Sequence, residues 1–371
     1  MQLDAPAQAA AFLADPDDAL RNRREPLLLD EWQSVPAVLG AVRRAVDFDP
    51  RPGRFILTGS VRAKLESEVW PGTGRLIRLQ MHGLTEAEIL SLPSQRRPAF
   101  LDRLAQADLK EFNHSGGRHG LRAYVTMALR GGFPEPILSV HSEAARNTWL
   151  DSYLDQLVTR DATGILPRGD PQRMRQYFRA LALSTAGSPL DKTLSDAAGI
   201  NFRTARSYDA LFESLFVADR IPGWQSNRLS RLVNLPKRYV LDTGLVASAC
   251  QVTVEAVLRD GDLLGRVVDT FAASQLWPEL ALSSGRLRPY HIRTKGGREE
   301  IDLLIEVGGD RVIALEFKAS AAAAAADAKH LIWLRVRLGD RFLVGAVMHT
   351  GPTPYRLARD ILAIPIAAVW Q

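Results

Sequence analysis

The chain has 371 residues, enough for two or three domains, and its 46% hydrophobic and 24% charged residues exclude a disordered protein. The net charge of +5 is compatible with nucleic-acid contact but does not require it. A single cysteine, Cys250, excludes an internal disulfide, and no signal peptide or membrane-spanning stretch is evident, so we expect a cytoplasmic protein without a membrane partner.

The first ninety residues alternate helical and apolar stretches. Residues 1–25 have helical spacing that Pro16 interrupts. Leu27-Leu28-Leu29 has the unbroken apolar character of a parallel strand that is buried on both faces. In chain order the pattern then predicts the acidic pair Asp30-Glu31, a helix over Val35 to Val46, and a second buried strand beginning at Arg54 that ends in Thr58-Gly59-Ser60.

The middle of the chain is predicted to be helical and to end in a winged helix. Helical spacing covers Ala99 to Phe112, Tyr124 to Arg130, Ala144 to Asp161, Pro171 to Thr185 and a short Leu194 to Ile200. Asn201 is expected to cap a helix over Phe202 to Phe216, which gives a helix-turn-helix order.

The second helix of that pair is the candidate DNA contact. Arg203 and Arg206 lie near its start, where recognition helices touch bases, and Lys237-Arg238, with Arg228 and Arg231, adds positive charge in the predicted wing. Asp209 and Glu213 follow on the same helix and would repel phosphate. Winged helices also bind proteins, so both partners stay open.

Towards the C-terminus, residues 290–320 predict two antiparallel strands. Ile301 to Val307 and Arg311 to Phe317 are apolar and β-branched, and Gly308-Gly309-Asp310 is a turn signal. If Val307 pairs with Arg311, the register sets Asp302 opposite Glu316. Because side chains alternate along a strand, Glu316 and Lys318 then share one face.

This face has the chemistry of metal-assisted phosphodiester cleavage. Paired carboxylates hold a hard divalent cation such as Mg²⁺, and a nearby lysine stabilises developing charge. Asp302 followed by Glu316-Phe317-Lys318 resembles the PD-(D/E)XK, or restriction-endonuclease-like, core. The resemblance implies a further carboxylate on the preceding helix, over Leu263 to Leu280. Asp269 matches that position, where the family more often has glutamate. The other interpretation is the hydrated face of an ordinary hairpin.

After the hairpin, three apolar stretches complete the predicted C-terminal domain. The alanine run Ala321 to Ala326 predicts the start of a helix, and Phe342 to Met348 and Ile364 to Trp370 predict strands. A strand–strand–helix–strand succession suits an α/β core of this kind.

The N-terminal order of strand, Asp-Glu, helix and strand ending in Thr-Gly-Ser resembles prokaryotic AAA-type ATPases that carry a C-terminal domain of unknown function. Matching segments continue along most of the chain, in the order Gly74-Arg75, Leu84 to Glu88, Gly131-Gly132-Phe133-Pro134-Glu135, Pro236 to Tyr239, and Asp242-Thr243-Gly244-Leu245. The resemblance implies a Walker B pair, in which Asp30 helps to hold Mg²⁺ and Glu31 polarises the attacking water. It also implies Thr58 or Ser60 as the phosphate sensor. Arg75 could reach a phosphate or form an ion pair.

One departure from this family bears on ATP. Its phosphate-binding loop, G-x-x-x-x-G-K-[ST], does not occur here, and the 29 residues before Asp30 contain neither glycine nor lysine. A late start and a degenerate member are both consistent with this. We expect ATP binding by this polypeptide to be weak or absent, and one edge of the remaining sheet to be exposed.

The sequence thus predicts a multidomain α/β protein. Its expected parts are a truncated AAA-type core (1–90), a helical lid or linker (91–164), a winged helix (165–245) and a PD-(D/E)XK-like domain (260–371). Three functions stay open: a nucleotide-regulated protein acting on or near nucleic acid, a metal-dependent nuclease, and a non-enzymatic DNA- or protein-binding remnant. A homo-oligomer is possible because AAA-type proteins often form rings.

Overall fold

The computed structural model describes residues 1–371 except 22, 60–73, 78, 91–97, 113–118, 141, 162–168 and 226–234. Contacts divide the chain into two compact units. The first is Met1–Gln80 with Phe212–Phe216, and the second is Met81–Leu211 with Val217–Gln371. The predicted helical middle and C-terminal domain therefore fall largely within one unit.

The first unit is a small α/β layer built on a parallel strand pair. Its elements are helices α1 (Pro6–Ala14), α2 (Pro16–Leu20) and α3 (Val38–Phe48) and strands β1 (Leu27–Leu29) and β2 (Phe55–Leu57). Leu28 pairs with Ile56 in parallel register. Gln2 bridges to Asp30 on the other side of β1. The predicted break at Pro16 and the strand–helix–strand order are confirmed.

The prediction that both strands are buried on both faces is wrong. Leu29 is fully buried, but Leu28 is 46% and Ile56 48% exposed. The core that includes Phe12, Leu29, Val38 and Val42 lies on the opposite face. Among the described residues, helices cover only that face of the pair, which leaves the paired Leu28 and Ile56 open to solvent.

The second unit begins with helices, and each stretch of helical spacing predicted between residues 99 and 280 overlaps one of them. The helices are α4 (Glu86–Ile89), α5 (Phe100–Leu104), α6 (Leu121–Arg130), α7 (Pro134–Leu138), α8 (Glu143–Gln156), α9 (Pro171–Leu183), α10 (Asp191–Ala197), α11 (Phe202–Ser214), α12 (Thr243–Cys250), α13 (Val254–Arg259), α14 (Gly261–Leu282) and α15 (Lys329–Leu338). The last three residues of α11, from Phe212, are counted with the first unit. The expected single helix over 99–112 is wrong. It breaks after Leu104, and Ala107 has a left-handed φ of 53°.

Helices α9, α10 and α11 are followed by an antiparallel pair, β3 (Ala218–Ile221) and β4 (Lys237–Val240). Asn201 caps α11 as predicted, since its Oδ1 accepts a hydrogen bond from the Thr204 amide at 2.9 Å. The wing arginines Arg228 and Arg231 lie outside the described residues.

A six-stranded mixed sheet forms the C-terminal part, in the order β5-β6-β7-β8-β10-β9. The strands are β5 (Leu287–Arg293), β6 (Glu300–Val307), β7 (Arg311–Phe317), β8 (Phe342–His349), β9 (Tyr355–Ala358) and β10 (Ile361–Pro365). Val307 pairs with Arg311 and Leu303 with Leu315, as predicted, so Asp302 and Glu316 follow at the end of that ladder. Both turn glycines have positive φ.

Two C-terminal predictions are wrong. The alanine run does not start a helix: a 3₁₀ turn covers Ala325–Ala328, and α15 begins only at Lys329. The hydroxyl of Tyr355 bonds both the amide and the carbonyl of Ala323, at 2.6 and 2.7 Å, which holds the run in a non-helical conformation. The last strand ends at Pro365, and a 3₁₀ helix follows it.

None of the helices in the described ranges combines the length and the apolar character that crossing a bilayer requires.

Candidate functional site

In the first unit, the predicted Walker B and sensor residues meet. Asp30 and Thr58 follow neighbouring parallel strands, and the Thr58 hydroxyl donates to Asp30 Oδ1 at 2.5 Å. Glu31 has a left-handed backbone with φ 51°, and its carboxylate accepts a hydrogen bond from the side-chain Nε2 of Gln33. The parallel strands bring the two positions to one edge because their carboxyl ends coincide.

The other two predicted nucleotide contacts in this unit are placed differently. Arg75 donates to Asp47 at 2.5 Å, which is the ion-pair alternative considered for it. Ser60 lies outside the described residues.

In the second unit, four elements converge on a buried charge cluster, formed by Lys237 (β4), Tyr239 (β4), Asp269 (α14), Asp302 (β6) and Glu316 (β7). The Lys237 ammonium lies 2.6 Å from Asp269 Oδ2 and 3.1 Å from Asp302 Oδ1. Its side chain is only 3% exposed. Lys237 was predicted as a positive charge of the wing, and that prediction is wrong because the two carboxylates hold it in the interior.

The remaining carboxylate oxygens of Asp269 and Asp302 are also satisfied. Asp269 Oδ1 accepts from the Tyr239 hydroxyl at 2.9 Å, and Asp302 Oδ2 accepts from the Phe317 amide at 3.0 Å. The sequence-predicted Asp269 and Asp302 are therefore brought together through the Lys237 ammonium, whose predicted place is the wing.

Glu316 and Lys318 lie at the rim of the same cluster. Glu316 is 4% exposed, and its Oε1 is buried without a hydrogen-bond partner among the described residues. The Lys318 ammonium lies 3.7 Å from Glu316 Oε2 and its side chain is 36% exposed. The two predicted residues thus share a face, with the carboxyl inside and the ammonium towards solvent.

Burial favours the neutral form of each of these groups, whereas pairing with an opposite charge favours the charged form. Burial raises the pKa of Glu316 well above its ordinary value, and the charge of Asp302 adds to this. Burial alone would raise the pKa of Asp302 as well, but Lys237 and the Phe317 amide outweigh it and lower that pKa. Burial raises the pKa of Asp269 to about 7. Burial opposes the charge of Lys237, yet Asp269 and Asp302 hold its pKa well above the usual range.

This geometry decides how well a divalent cation would fit. Carboxylate oxygens are suitable ligands for Mg²⁺, and the buried Glu316 Oε1 is an unused acceptor. However, the Lys237 ammonium already bridges Asp269 and Asp302. Within the described ranges, no group of three or more His, Cys, Asp or Glu side chains is arranged to hold a metal ion. The cluster in this conformation does not fit bound Mg²⁺; an ammonium holds it together.

The predicted DNA-contact residues lie on the same helix, α11, as one member of a second buried ion pair. Arg203 and Arg206 are exposed, and the Arg206 guanidinium lies 5.6 Å from the Phe202 ring centroid. Asp209, predicted to repel phosphate, is only 6% exposed. Its carboxylate accepts from the Arg238 guanidinium at 2.6 Å and from the Tyr177 hydroxyl at 2.8 Å. The predicted repulsion by Asp209 and the wing role of Arg238 are both wrong, because each charge neutralises the other in the interior.

Asp242 holds together three further segments of the family resemblance, which are Leu84 to Glu88, Gly131 to Glu135 and Asp242 to Leu245. Its carboxylate accepts from the amides of Gly132 and Gly244, both at 2.7 Å. The Gly132 carbonyl in turn accepts from the Leu84 amide at 2.7 Å. Gly131 has φ 75°, and a side chain there would collide with Asp242. These family-like segments therefore share a packing function.

Comparisons with known proteins match three segments of the chain. Residues 1–90 match the model of an AAA domain, residues 121–256 a domain of unknown function (DUF8612), and residues 264–369 a second domain of unknown function (DUF4143). The predicted AAA-type N-terminus and C-terminal domain of unknown function are confirmed. The AAA match includes Asp30, Glu31, Thr58, Ser60 and Arg75, and the C-terminal match includes Asp269, Asp302, Glu316 and Lys318.

Two curated relatives are similar over most of the chain. They are the uncharacterized protein Rv2008c of Mycobacterium tuberculosis and the uncharacterized protein Mb2031c of Mycobacterium bovis. Each is 26% identical over 362 residues, which is 96% of this chain and 72% of the relative. No solved structure is significantly similar to the chain.

The raised pKa values of Glu316 and Asp269 predict that these two groups stabilise the fold less as pH rises. Between the ordinary carboxyl pKa and the raised values of Glu316 and Asp269, the folded chain binds more protons than the unfolded chain. The contribution of these two groups to the free energy of unfolding should therefore decrease from about pH 4 to about pH 7 and beyond, whereas His82, His291 and His349, whose pKa values burial lowers, contribute in the opposite direction up to about pH 6.5. Glu316→Gln keeps the shape of the side chain and removes one of these protons. The free energy of unfolding of this variant should therefore decline less with rising pH than that of the wild type.

Urea unfolding at a series of pH values measures this slope. Glu111→Gln is the matched control, because Glu111 is exposed. Parallel slopes for wild type and Glu316→Gln would show that Glu316 is not protonated in the folded chain.

Proposed function

We propose that this chain acts on nucleic acid as a member of the AAA-type ATP-binding proteins, with α11 as the recognition helix of a winged helix. The observation that carries this is the exposed start of α11, where Phe202, Arg203 and Arg206 face solvent. Exposed arginines at a helix N-terminus suit both phosphate and base-edge contacts.

The buried pairing of Asp209 supports the same proposal. Its charge is compensated by Arg238. An anionic DNA backbone approaching Arg203 and Arg206 therefore does not meet an unpaired Asp209 carboxylate. The order α9, α10, α11, β3, β4 is the order of a winged helix, in which the hairpin lies beside the recognition helix.

Nucleotide binding by the first unit is proposed to be weak. The Asp30 and Thr58 pair supplies polar groups at the carboxyl edge of the two strands. The backbone amides and lysine of a phosphate-binding loop usually provide most of the triphosphate contacts, and the sequence lacks that pattern.

The DNA proposal predicts that removing the charges of Arg203 and Arg206 weakens the binding of duplex DNA. Arg203→Ala/Arg206→Ala should weaken binding to a short duplex about 10- to 100-fold near 0.1 M salt. The slope of log K against log salt should also fall by about 1.8, because about 0.9 is lost per phosphate contact. Fluorescence anisotropy over a salt series measures both quantities.

The matched control is Arg122→Ala/Arg259→Ala, which removes the same charge from an exposed region. If both double variants weaken binding equally, net charge alone governs the interaction and α11 is not the recognition helix.

The alternative function is a metal-dependent nuclease, and one observation favours it: the unsatisfied Glu316 Oε1 beside Lys318. Lys237 between Asp269 and Asp302 counts against it. We therefore expect no cleavage of DNA or RNA above background with Mg²⁺ or Mn²⁺. Gel assays should compare the wild type with Glu316→Ala and Lys318→Ala. Cleavage by the wild type that both variants lose would establish the nuclease instead.

A further inference from the structure

A cavity of about 880 Å³ lies beside the end of β5 and the start of the following loop, against α15. This volume is within the range of small-molecule sites. The residues that matter for its chemistry are His291, Arg293, Gly296, Gly297, Trp333 and Arg337. None of the described lining residues is Asp or Glu, and no residue of the buried charge cluster lines it.

The cavity carries positive charge that is not neutralised by carboxylates. Arg293 and Arg337 are both exposed, and neither forms an ion pair with an acidic side chain in the part of the chain that the structure describes. The Arg337 guanidinium lies 5.8 Å from the Trp333 ring centroid. That spacing is typical of a cation–π contact, which keeps the arginine near the ring while its N–H groups stay available.

The walls supply an aromatic surface and an open backbone. Trp333 is partly exposed at the cavity. Gly296 and Gly297 have φ of 79° and 67°, and no atom lies within 4 Å of where a side chain would begin. The opposite wall is fixed, because the Trp224 indole donates to Glu306 at 3.1 Å. The His291 ring is fixed by Leu235, whose carbonyl lies 3.0 Å from Nε2.

An aromatic face beside guanidinium groups matches one ligand chemistry. A nucleobase stacks on an indole, and guanidinium groups bind phosphate oxygens in bidentate geometry. A purely apolar ligand would not need the arginines, and a bare anion would not need the indole. A cleft formed only by the packing of two structural elements would require neither the exposed indole nor the arginines.

We propose that this cavity binds a nucleotide unit, with its base against Trp333 and its phosphate between Arg293 and Arg337. A free mononucleotide and the end of a single-stranded nucleic acid present the same chemistry. The site is separate from α11, so it does not depend on duplex binding by Arg203 and Arg206.

Isothermal titration calorimetry of the full chain tests the proposal with three probes: thymidine 5′-monophosphate, a four-residue oligothymidylate and inorganic phosphate. Arg293→Ala/Arg337→Ala should weaken nucleotide binding at least tenfold. Trp333→Leu should weaken it by about 5- to 100-fold, the usual effect of losing one base–aromatic stack. Binding of the mononucleotide identifies a free nucleotide as sufficient, and binding of the oligonucleotide alone identifies a single strand.

The control is Arg311→Ala/Arg335→Ala, which removes the same charge, including one arginine from α15, without altering the cavity wall. The proposal is overturned if no nucleotide binds the wild type at millimolar concentration. It is also overturned if the cavity variants bind like the control, or if inorganic phosphate binds as tightly as the nucleotide and Trp333→Leu has no effect. Duplex binding measured on the same variants reports separately on α11.

Discussion

Replacing Lys237 with methionine is expected to lower the free energy of unfolding by about 3–5 kcal/mol, the usual effect of removing one partner of a buried ion pair. Methionine fills most of the same volume, so lost packing contributes little. The large term is electrostatic: Asp269 and Asp302 would stay buried without the ammonium that lies between them. Urea unfolding near neutral pH measures the loss.

Two further variants separate charge from packing. Lys237→Met/Asp269→Asn removes both members of the closest pair and should recover part of the loss, because Asp302 keeps its bond from the Phe317 amide. Lys192→Met is the surface control: its side chain is 82% exposed and pairs with Asp196. A surface pair of this kind is worth less than about 0.5 kcal/mol. A Lys237→Met protein as stable as Lys192→Met would refute a structural role for the ammonium.

Arg238→Met is expected to be comparably destabilising, by about 3–5 kcal/mol. The Arg238 side chain is 3% exposed and Asp209 6% exposed, so the carboxylate would be left in the interior with the hydrogen bond from the Tyr177 hydroxyl and the more distant Arg220. A double-mutant cycle with Asp209→Asn isolates the pair energy, and we expect a coupling above about 1 kcal/mol.

Arg220→Met provides the comparison, since Arg220 lies 4.0 Å from the same carboxylate but is 41% exposed. Its effect should stay below about 1 kcal/mol. If the cycle gives no coupling, Arg238 contributes through packing alone.

The parts of the fold that the sequence predicts well are those fixed by neighbours in the chain. The Gly308-Gly309 turn and the alternation of apolar residues determine the register of β6 and β7, and the resulting ladder follows it. Asn201 caps α11 for the same reason, because the groups that bond lie three residues apart. The strand-end positions of Asp30 and Thr58 follow from two short parallel strands.

The parts that local pattern misses depend on distant partners. Lys237 meets Asp269 across 32 positions and Asp302 across 65. Nothing near residue 237 signals this, and a Pro-Lys-Arg run normally indicates a solvated surface. In the alanine run Ala321 to Ala326, a distant residue also determines the backbone conformation, which the local sequence therefore does not predict. Helix propensity favours a helix there, but the hydroxyl of Tyr355, 32 positions away, bonds the backbone of Ala323 instead. The sequence does signal the burial of Lys237, although not its partners, because Lys237 lies on a strand with the largely apolar Tyr239 and Val240.

The neighbouring residues Lys237 and Arg238 have a practical consequence for dissection of the protein. Lys237 reaches Asp269 and Asp302, whereas Arg238 reaches Asp209 and Asp191. The two family matches within this unit end at residue 256 and begin at residue 264, so the gap between them is the obvious place to divide an expression clone. Such a cut would separate Lys237 from both of its acids. Each fragment would then contain buried charges without their partners. Precipitation of the separate fragments would therefore reflect the position of the division and not an intrinsic inability of the sequence to fold.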